Sequence, residues 1–292
     1  MSTILRVLQR LFRLRPDLSA VQHDHNRPWK SLYFHHIGKT GGSSIAEMLT
    51  STIGRRKTYP HWGVSSDLLC DNSTYSFFTG HFPFDIITLL PQPTAVITTV
   101  REPIEHVLSI YNHLRRTEGQ HLLLAHRTQP LTTFDDFLDD NVLKHITTNP
   151  QTYSLGRQIN KQDLIAVANR IHSVNWTETG SPDDFWCLYG EMDEDRQDMN
   201  LFETAIERVN QPWLVACSCE TINEEVSNLF DQLYLSLPKN YSKSPLTLNV
   251  APSDSSKLTT KSLSDSQTHE ITSRTSLDHS LWKHVKSLKK TS

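Results

Sequence analysis

A short apolar run that leads directly into a glycine-rich turn constrains the fold more than any other feature of this chain. Residues 31–37 read SLYFHHI, which is typical of a buried β-strand, and the next seven residues read GKTGGSS. Residues 43–53 then carry apolar side chains at helical spacing, and we expect Ser43 or Ser44 to cap that helix. The sequence therefore predicts a strand, a glycine loop and a helix in direct succession.

The alternation of strands and helices continues along the chain. Residues 75–79 and 94–100 are predicted strands, and the second ends at Arg101 before a Glu-Pro pair opens a helix. Because strands that alternate with helices form parallel sheets, we predict one P-loop-like α/β domain over residues 29–290, with a central parallel sheet flanked by helices. The later predicted elements are a helix at 134–138 capped by Thr133, helices at 200–209, 220–237 and 277–288, and a strand at 213–217.

Two segments stand apart from this pattern. Residues 1–28 form a basic amphipathic N-terminal segment and a linker, and residues 1–16 contain four arginines and no acid. That segment is suited to contact with an anionic membrane surface, but packing on the domain or a frayed tail explains it equally well. Residues 176–198 are polar and acidic, and we interpret them as a surface insertion.

Composition excludes several classes of protein. The net charge of −3, from 29 basic and 32 acidic residues, offers no basic excess for binding nucleic acid, so any anion site must be local. Four cysteines are too few for a disulfide scaffold in 292 residues. No apolar stretch approaches the roughly 20 residues of a membrane span, and no signal peptide is evident. We therefore expect a cytoplasmic protein whose membrane contact, if any, is peripheral and made by residues 1–16.

The glycine loop has the chemistry of a phosphate cradle. Backbone N–H groups at the start of a helix face the positive end of the helix dipole, and glycines allow an anion to approach the backbone closely. The lysine adds a positive charge and the hydroxyl side chains add donors. The predicted phosphate-binding residues are Lys39, Thr40, Gly41, Gly42, Ser43 and Ser44.

The Walker A loop of nucleoside-triphosphate enzymes is the main alternative. Its pattern requires a glycine five residues before the Gly-Lys-Ser/Thr, and this chain has Tyr33 there. The strand at 94–100 ends at Arg101 and does not supply an aspartate that would hold magnesium. Two independent features thus oppose a P-loop kinase.

Three ordered motifs resemble those of the carbohydrate sulfotransferases, especially the heparan sulfate 2-O- and 6-O-sulfotransferases. FHHIGKTGGSS is similar to the family's 5′-phosphosulfate loop, TGHFPFDI to its Gly-His segment, and TTVREPIEHVLSIYNHLR to its 3′-phosphate motif. The resemblance covers roughly residues 30–120. Gly38 replaces the usual proline, and the membrane anchor of the Golgi enzymes is missing, so we expect a soluble bacterial-type member.

The resemblance implies a donor, a fold and a set of roles. The donor would be 3′-phosphoadenosine 5′-phosphosulfate (PAPS), the fold a sulfotransferase fold, and the acceptor a hydroxyl of a carbohydrate or lipid-linked sugar. Lys39 falls on the lysine that stabilises the leaving phosphate, and His81 falls on the catalytic base. Arg101 and Ser109 fall on the residues that bind the 3′-phosphate. No metal is required, because positive side chains take the place of magnesium.

Simpler interpretations of these residues stay open. His35 and His36 lie on opposite faces of the first strand, and packing is the expected role of both. Arg101 could form an ion pair at the start of its helix, and Lys257 and Lys261 could lie on a solvated polar helix or close over the nucleotide. A catalytically silent relative that binds a nucleotide or glycan is a further alternative to an active enzyme.

Overall fold

The computed structural model describes residues 27–59, 74–116, 124, 131–172, 195–237 and 257–288. The predicted amphipathic segment over residues 1–16 and most of the predicted acidic insertion over 176–198 lie outside the described residues.

Four parallel strands form a sheet in the order β2-β1-β3-β4. The strands are β1 (Ser31–His35), β2 (Phe77–Gly80), β3 (Thr94–Val100) and β4 (Leu214–Ser218). The prediction of a central parallel sheet flanked by helices is confirmed, and β3 has the predicted bounds. β1 ends two residues before the predicted end, because the next carbonyl, that of His36, is bonded to the His81 side chain instead of a strand.

Ten α-helices surround the sheet in the described residues. They are α1 (Gly42–Ile53), α2 (Pro103–Arg116), α3 (Phe134–Asp139), α4 (Asn141–Thr147), α5 (Pro150–Gly156), α6 (Lys161–His172), α7 (Met199–Val209), α8 (Ile222–Gln232), α9 (Asp265–Arg274) and α10 (Ser276–Leu288). Short 3-10 helices span Arg55–Lys57, Phe84–Leu89 and Thr260–Ser262. No described helix is both long enough and apolar enough to cross a bilayer.

Local sequence explains where several helices begin. Pro103 is the first residue of α2, as predicted, where its missing N–H costs nothing. Thr133 and Asp136 form a capping box at α3, so the predicted cap is confirmed. The predicted cap of α1 is wrong. Gly41, with a φ of 83°, occupies that position, so Ser43 and Ser44 lie inside the first turn.

The predicted helix over 220–237 is also shorter than expected. α8 begins at Ile222, because the carboxylate of Glu220 accepts hydrogen bonds from the Glu102 backbone and the Ser218 hydroxyl. These bonds hold Glu220 in the turn between β4 and α8. Glu220, which the sequence pattern placed in a helix, thus connects the turn after β4 to the turn after β3.

Two of the three apolar clusters in the described residues lie on opposite faces of the sheet, and the third joins helices α2, α3, α4 and α9. On β1, Leu32 and Phe34 face α1 and α8, whereas Tyr33 faces the opposite layer with α7 and α10. In register, His35 lies beside Gly80 of β2 and Thr98 of β3. The carboxyl ends of the three strands therefore meet at one edge, where the glycine loop, the His81 segment and Arg101 follow.

Candidate active site

A cavity of about 760 Å³ lies at this edge of the sheet. Of the nine site residues predicted from the sequence, eight line it; the eight are Lys39, Gly41, Gly42, Ser43, Ser44, His81, Arg101 and Ser109. The three motifs, which are far apart in the chain, therefore contribute to one space.

Side chains hold the backbone carbonyls of the loop. Four consecutive carbonyl oxygens each pair with one side chain. The pairs are His36 O with His81 Nδ1 (3.0 Å), Ile37 O with Thr40 Oγ1 (2.8 Å), Gly38 O with His106 Nε2 (2.7 Å) and Lys39 O with Arg101 Nη1 (3.2 Å). Because the N–H and C=O groups of a peptide point in opposite directions, fixing the carbonyls also fixes the direction of the amides. The loop is thereby pre-formed.

Two residues of the loop have left-handed backbone conformations. Lys39 has a φ of 67° and Gly41 a φ of 83°. Left-handed residues of this kind are typical of anion-binding nests, in which successive N–H groups point toward one position. For Lys39, which has a Cβ, the conformation costs about 1 kcal/mol or more, and strain of this kind is concentrated at functional sites.

Thr40 is the predicted cradle residue that does not line the cavity. Its side chain is fully buried, and its hydroxyl donates to Ile37 O and lies 2.7 Å from Thr99 Oγ1. The hydroxyl that we expected to face a phosphate instead ties the loop to β3. Because its hydroxyl is bonded within the protein, Thr40 could contact a ligand only through its backbone.

The glycines of the loop accommodate protein atoms as well as any ligand. A Cβ at Gly42 would lie 2.1 Å from Cδ2 of His36, and one at Gly41 would lie 2.9 Å from Sγ of Cys219. The His36 ring stacks between Phe34 and His81, with centroid distances of 5.4 and 4.7 Å. Gly42 is therefore required for the packing of His36, a reason that the sequence motif does not reveal.

His81 faces the cavity with a defined tautomer. Its Nδ1 lies 3.0 Å from the His36 carbonyl, which can only accept, so Nδ1 carries the proton and Nε2 carries the lone pair. The side chain is open to the cavity, but the protein around it lowers its pKa. Burial is the main cause and the Lys39 charge adds to it, while the bond to His36 opposes it. His81 is thus a neutral base at physiological pH.

Lys39 and Arg101 supply positive charge beside that base. Burial lowers the pKa of Lys39, and the charges of Arg116 and Arg101 lower it further. Arg101 also forms an i,i+4 ion pair with Glu105 at 3.2 Å, so the simpler interpretation as a helix-start ion pair is present in the structure. Ser109 lines the same cavity two turns into α2.

Further basic residues line the cavity, and the motifs did not identify them. Among the described lining residues, six lysines and arginines accompany one acid, Glu105; the basic residues are Lys39, Arg101, Arg116, Arg157, Arg196 and Lys257. Arg116 could have been found, since it follows Ser109 by two helical turns on the same face of α2. Arg157 and Arg196 reach the cavity only through tertiary packing.

The other histidines near the site are buried. His35 bridges Tyr33 Oη (2.9 Å) and Ser154 Oγ (3.0 Å), and burial lowers its pKa to about 3. Burial also lowers the pKa values of His36 and His106, to about 3 and about 4. His35 and His36 are packed as expected, and His36 also lines the cavity. In the described ranges, no three His, Cys, Asp or Glu side chains form a group that could hold a metal.

In comparisons with known proteins, the chain matches no family model and no curated protein.

Proposed function

We propose that this protein is a sulfotransferase that transfers a sulfuryl group from PAPS to a hydroxyl of a carbohydrate or lipid-linked sugar. The observation that carries the proposal is the convergence of a pre-formed anion loop, a neutral histidine and the Arg101–Ser109 pair on one basic cavity. The four-stranded parallel sheet is compatible with the more specific sulfotransferase fold that we infer.

The loop and the two residues of the Arg101 motif would hold the donor. In this proposal, the amides of residues 38–44 and the hydroxyls of Ser43 and Ser44 bind the 5′-phosphate. The guanidinium of Arg101 has five N–H groups. One donates to Lys39 O and one to Glu105, so the group has further donors that could bind the 3′-phosphate. Ser109 would add a hydroxyl bond to the same group.

The transfer step needs in-line geometry and charge stabilisation, with little covalent work by the protein. The acceptor oxygen forms a bond to sulfur while the bond from sulfur to the bridging phosphate oxygen breaks. The acceptor proton passes to Nε2 of His81. The bond electrons leave on adenosine 3′,5′-bisphosphate, whose new charge Lys39 stabilises. The products are a sulfate ester and the bisphosphate.

The setting of the reaction is part of the same proposal. The protein would act in the cytoplasm and require neither a metal nor a nucleic acid. Residues 1–16 would make any contact with a membrane surface, where a lipid-linked sugar would be accessible.

Calorimetric titration tests the nucleotide site. Adenosine 3′,5′-bisphosphate should bind in the presence of EDTA, and at least about 10-fold more tightly than ATP. Equal affinity for the two nucleotides, or binding that requires Mg²⁺, would instead support a P-loop kinase and reject the proposal.

A second experiment tests catalysis. With labelled PAPS and a panel of sugar and glycolipid acceptors, the wild-type protein should produce a labelled sulfate ester, and His81→Ala should abolish it while retaining bisphosphate affinity. His269→Ala, at an exposed histidine of α9, is the matched control and should keep full activity. A fully active His81→Ala variant would show that another group is the base, and bisphosphate binding without transfer to any acceptor would favour the silent relative.

A further inference from the structure

Arg101 lies immediately beyond the last residue of β3, where the sheet no longer satisfies its backbone. The side chain of Gln151, on α5, provides both missing partners. The Arg101 N–H donates to Gln151 Oε1 at 2.7 Å, and Gln151 Nε2 donates to the Arg101 carbonyl at 2.9 Å. Gln151 is only 1% exposed, so water does not compete for these bonds. One amide side chain thus substitutes for a neighbouring strand.

A buried carboxylate holds Gln151 in turn. Asp278, on α10, is 1% exposed and accepts hydrogen bonds from the backbone N–H groups of Gln151 (3.2 Å) and Thr152 (2.7 Å). Its Oδ2 also lies 3.5 Å from Gln151 Nε2. The Asn149 Oδ1 accepts from the backbone of Leu277 and Asp278, which locks the start of α5 to α10.

The guanidinium of Arg101 is held at its other end by the glycine loop and by Glu105, at 3.2 Å in each case. Gln151 fixes the backbone from which that side chain extends. A small rotation of this backbone would move the guanidinium relative to the loop, and bidentate recognition of a phosphate depends on such geometry.

We propose that Gln151, supported by Asp278, is a positioning residue that sets the Arg101 guanidinium and thereby the selectivity for a 3′-phosphate. This inference rests on the proposed function, in which Arg101 binds that phosphate. An amide is needed at position 151 because it donates and accepts simultaneously. A glutamate there would lose the donor and place a second carboxylate beside Asp278.

The test compares two nucleotides that differ only in the 3′-phosphate. Adenosine 3′,5′-bisphosphate and adenosine 5′-phosphate are titrated into the wild-type protein, Gln151→Met, and Gln232→Met as the matched control at an exposed glutamine of α8. We expect Gln151→Met to reduce the ratio of the two affinities by about 10-fold, mainly through weaker bisphosphate binding. The control should keep the wild-type ratio.

A merely structural role makes a different prediction. It would lower the melting temperature and weaken the binding of both nucleotides equally, so the ratio of their affinities would not change. That result would overturn the inference. In an Arg101→Ala background, Gln151→Met should cause no further change in the ratio, because the positioned group is gone. A further fall in that background would equally overturn it.

Two more outcomes keep the test decisive. If Gln151→Met does not fold, Gln151→Asn, which keeps both amide functions on a shorter side chain, takes its place with the same expected fall in the ratio. If the wild-type protein itself does not distinguish the two nucleotides, the proposed function fails, and this inference fails with it.

Discussion

Gly42→Ala is the substitution whose effect follows most directly from the geometry of the site. The new Cβ would lie 2.1 Å from Cδ2 and 2.4 Å from Nε2 of His36, so the ring must move. His36 is 6% exposed and stacked on both faces, which leaves little space for it to move into. Overpacking of this kind costs up to about 3 kcal/mol, and the better helix propensity of alanine offsets about 1 kcal/mol. We therefore expect a net destabilisation of about 2 kcal/mol.

The change should be visible in thermal unfolding and in turnover. A loss of about 2 kcal/mol corresponds to a decrease in Tm of roughly 4–8 °C. Because the displaced ring pushes on His81, kcat should fall more than bisphosphate affinity. Gly38→Ala is the stability control, since its Cβ would make an ordinary 3.7 Å contact with His81 Cε1. A Gly42→Ala protein as stable as the wild type would refute the steric reasoning.

Three further predictions concern charged groups. Because the pKa of His81 is lowered and the base acts when unprotonated, kcat should fall on acidification only below about pH 6.5, as a pH–rate profile would show. Burial raises the pKa of Asp278 from 3.8 to about 6, so wild-type stability relative to Asp278→Asn should decrease by about 2 kcal/mol as pH rises from 4 to 7 in urea titrations. Asp85→Ala should cost about 3 kcal/mol, because it leaves the largely buried Arg208 without its ion-pair partner, whereas Glu47→Ala in an exposed pair should change stability by less than about 0.5 kcal/mol.

Much of the scaffold was predictable because local signals and tertiary packing agree. The β-branched run of β3 is buried along its whole length, so propensity and environment favour the same strand. The resemblance implied that Lys39, His81 and Arg101 belong to one site. The parallel sheet explains why they meet, since residues that follow its strands share one edge.

The parts of the site that could not be predicted depend on contacts distant in sequence. Gln151 meets Arg101 across 50 residues and Asp278 across 127. No local sequence pattern predicts contacts over such distances, and nothing in the sequence around Gln151 indicates that its side chain is buried. The Thr40 hydroxyl was assigned to a ligand for the same reason, because its partner Thr99 lies on β3, 59 residues away in the chain.

The charge of the cavity and the contacts that shape it come from different groups. His36 and His106 have pKa values of about 3 and about 4, so at physiological pH both rings are neutral; His36 stacks on Phe34 and His81, and His106 hydrogen-bonds to Gly38 O. Lysine and arginine side chains carry the positive charge. Because burial and nearby guanidinium groups lower the pKa of Lys39, a bound anion would offset that repulsion and favour its ammonium form. The neutral rings therefore hold the shape of the loop, and a bound anion would raise the pKa of its lysine.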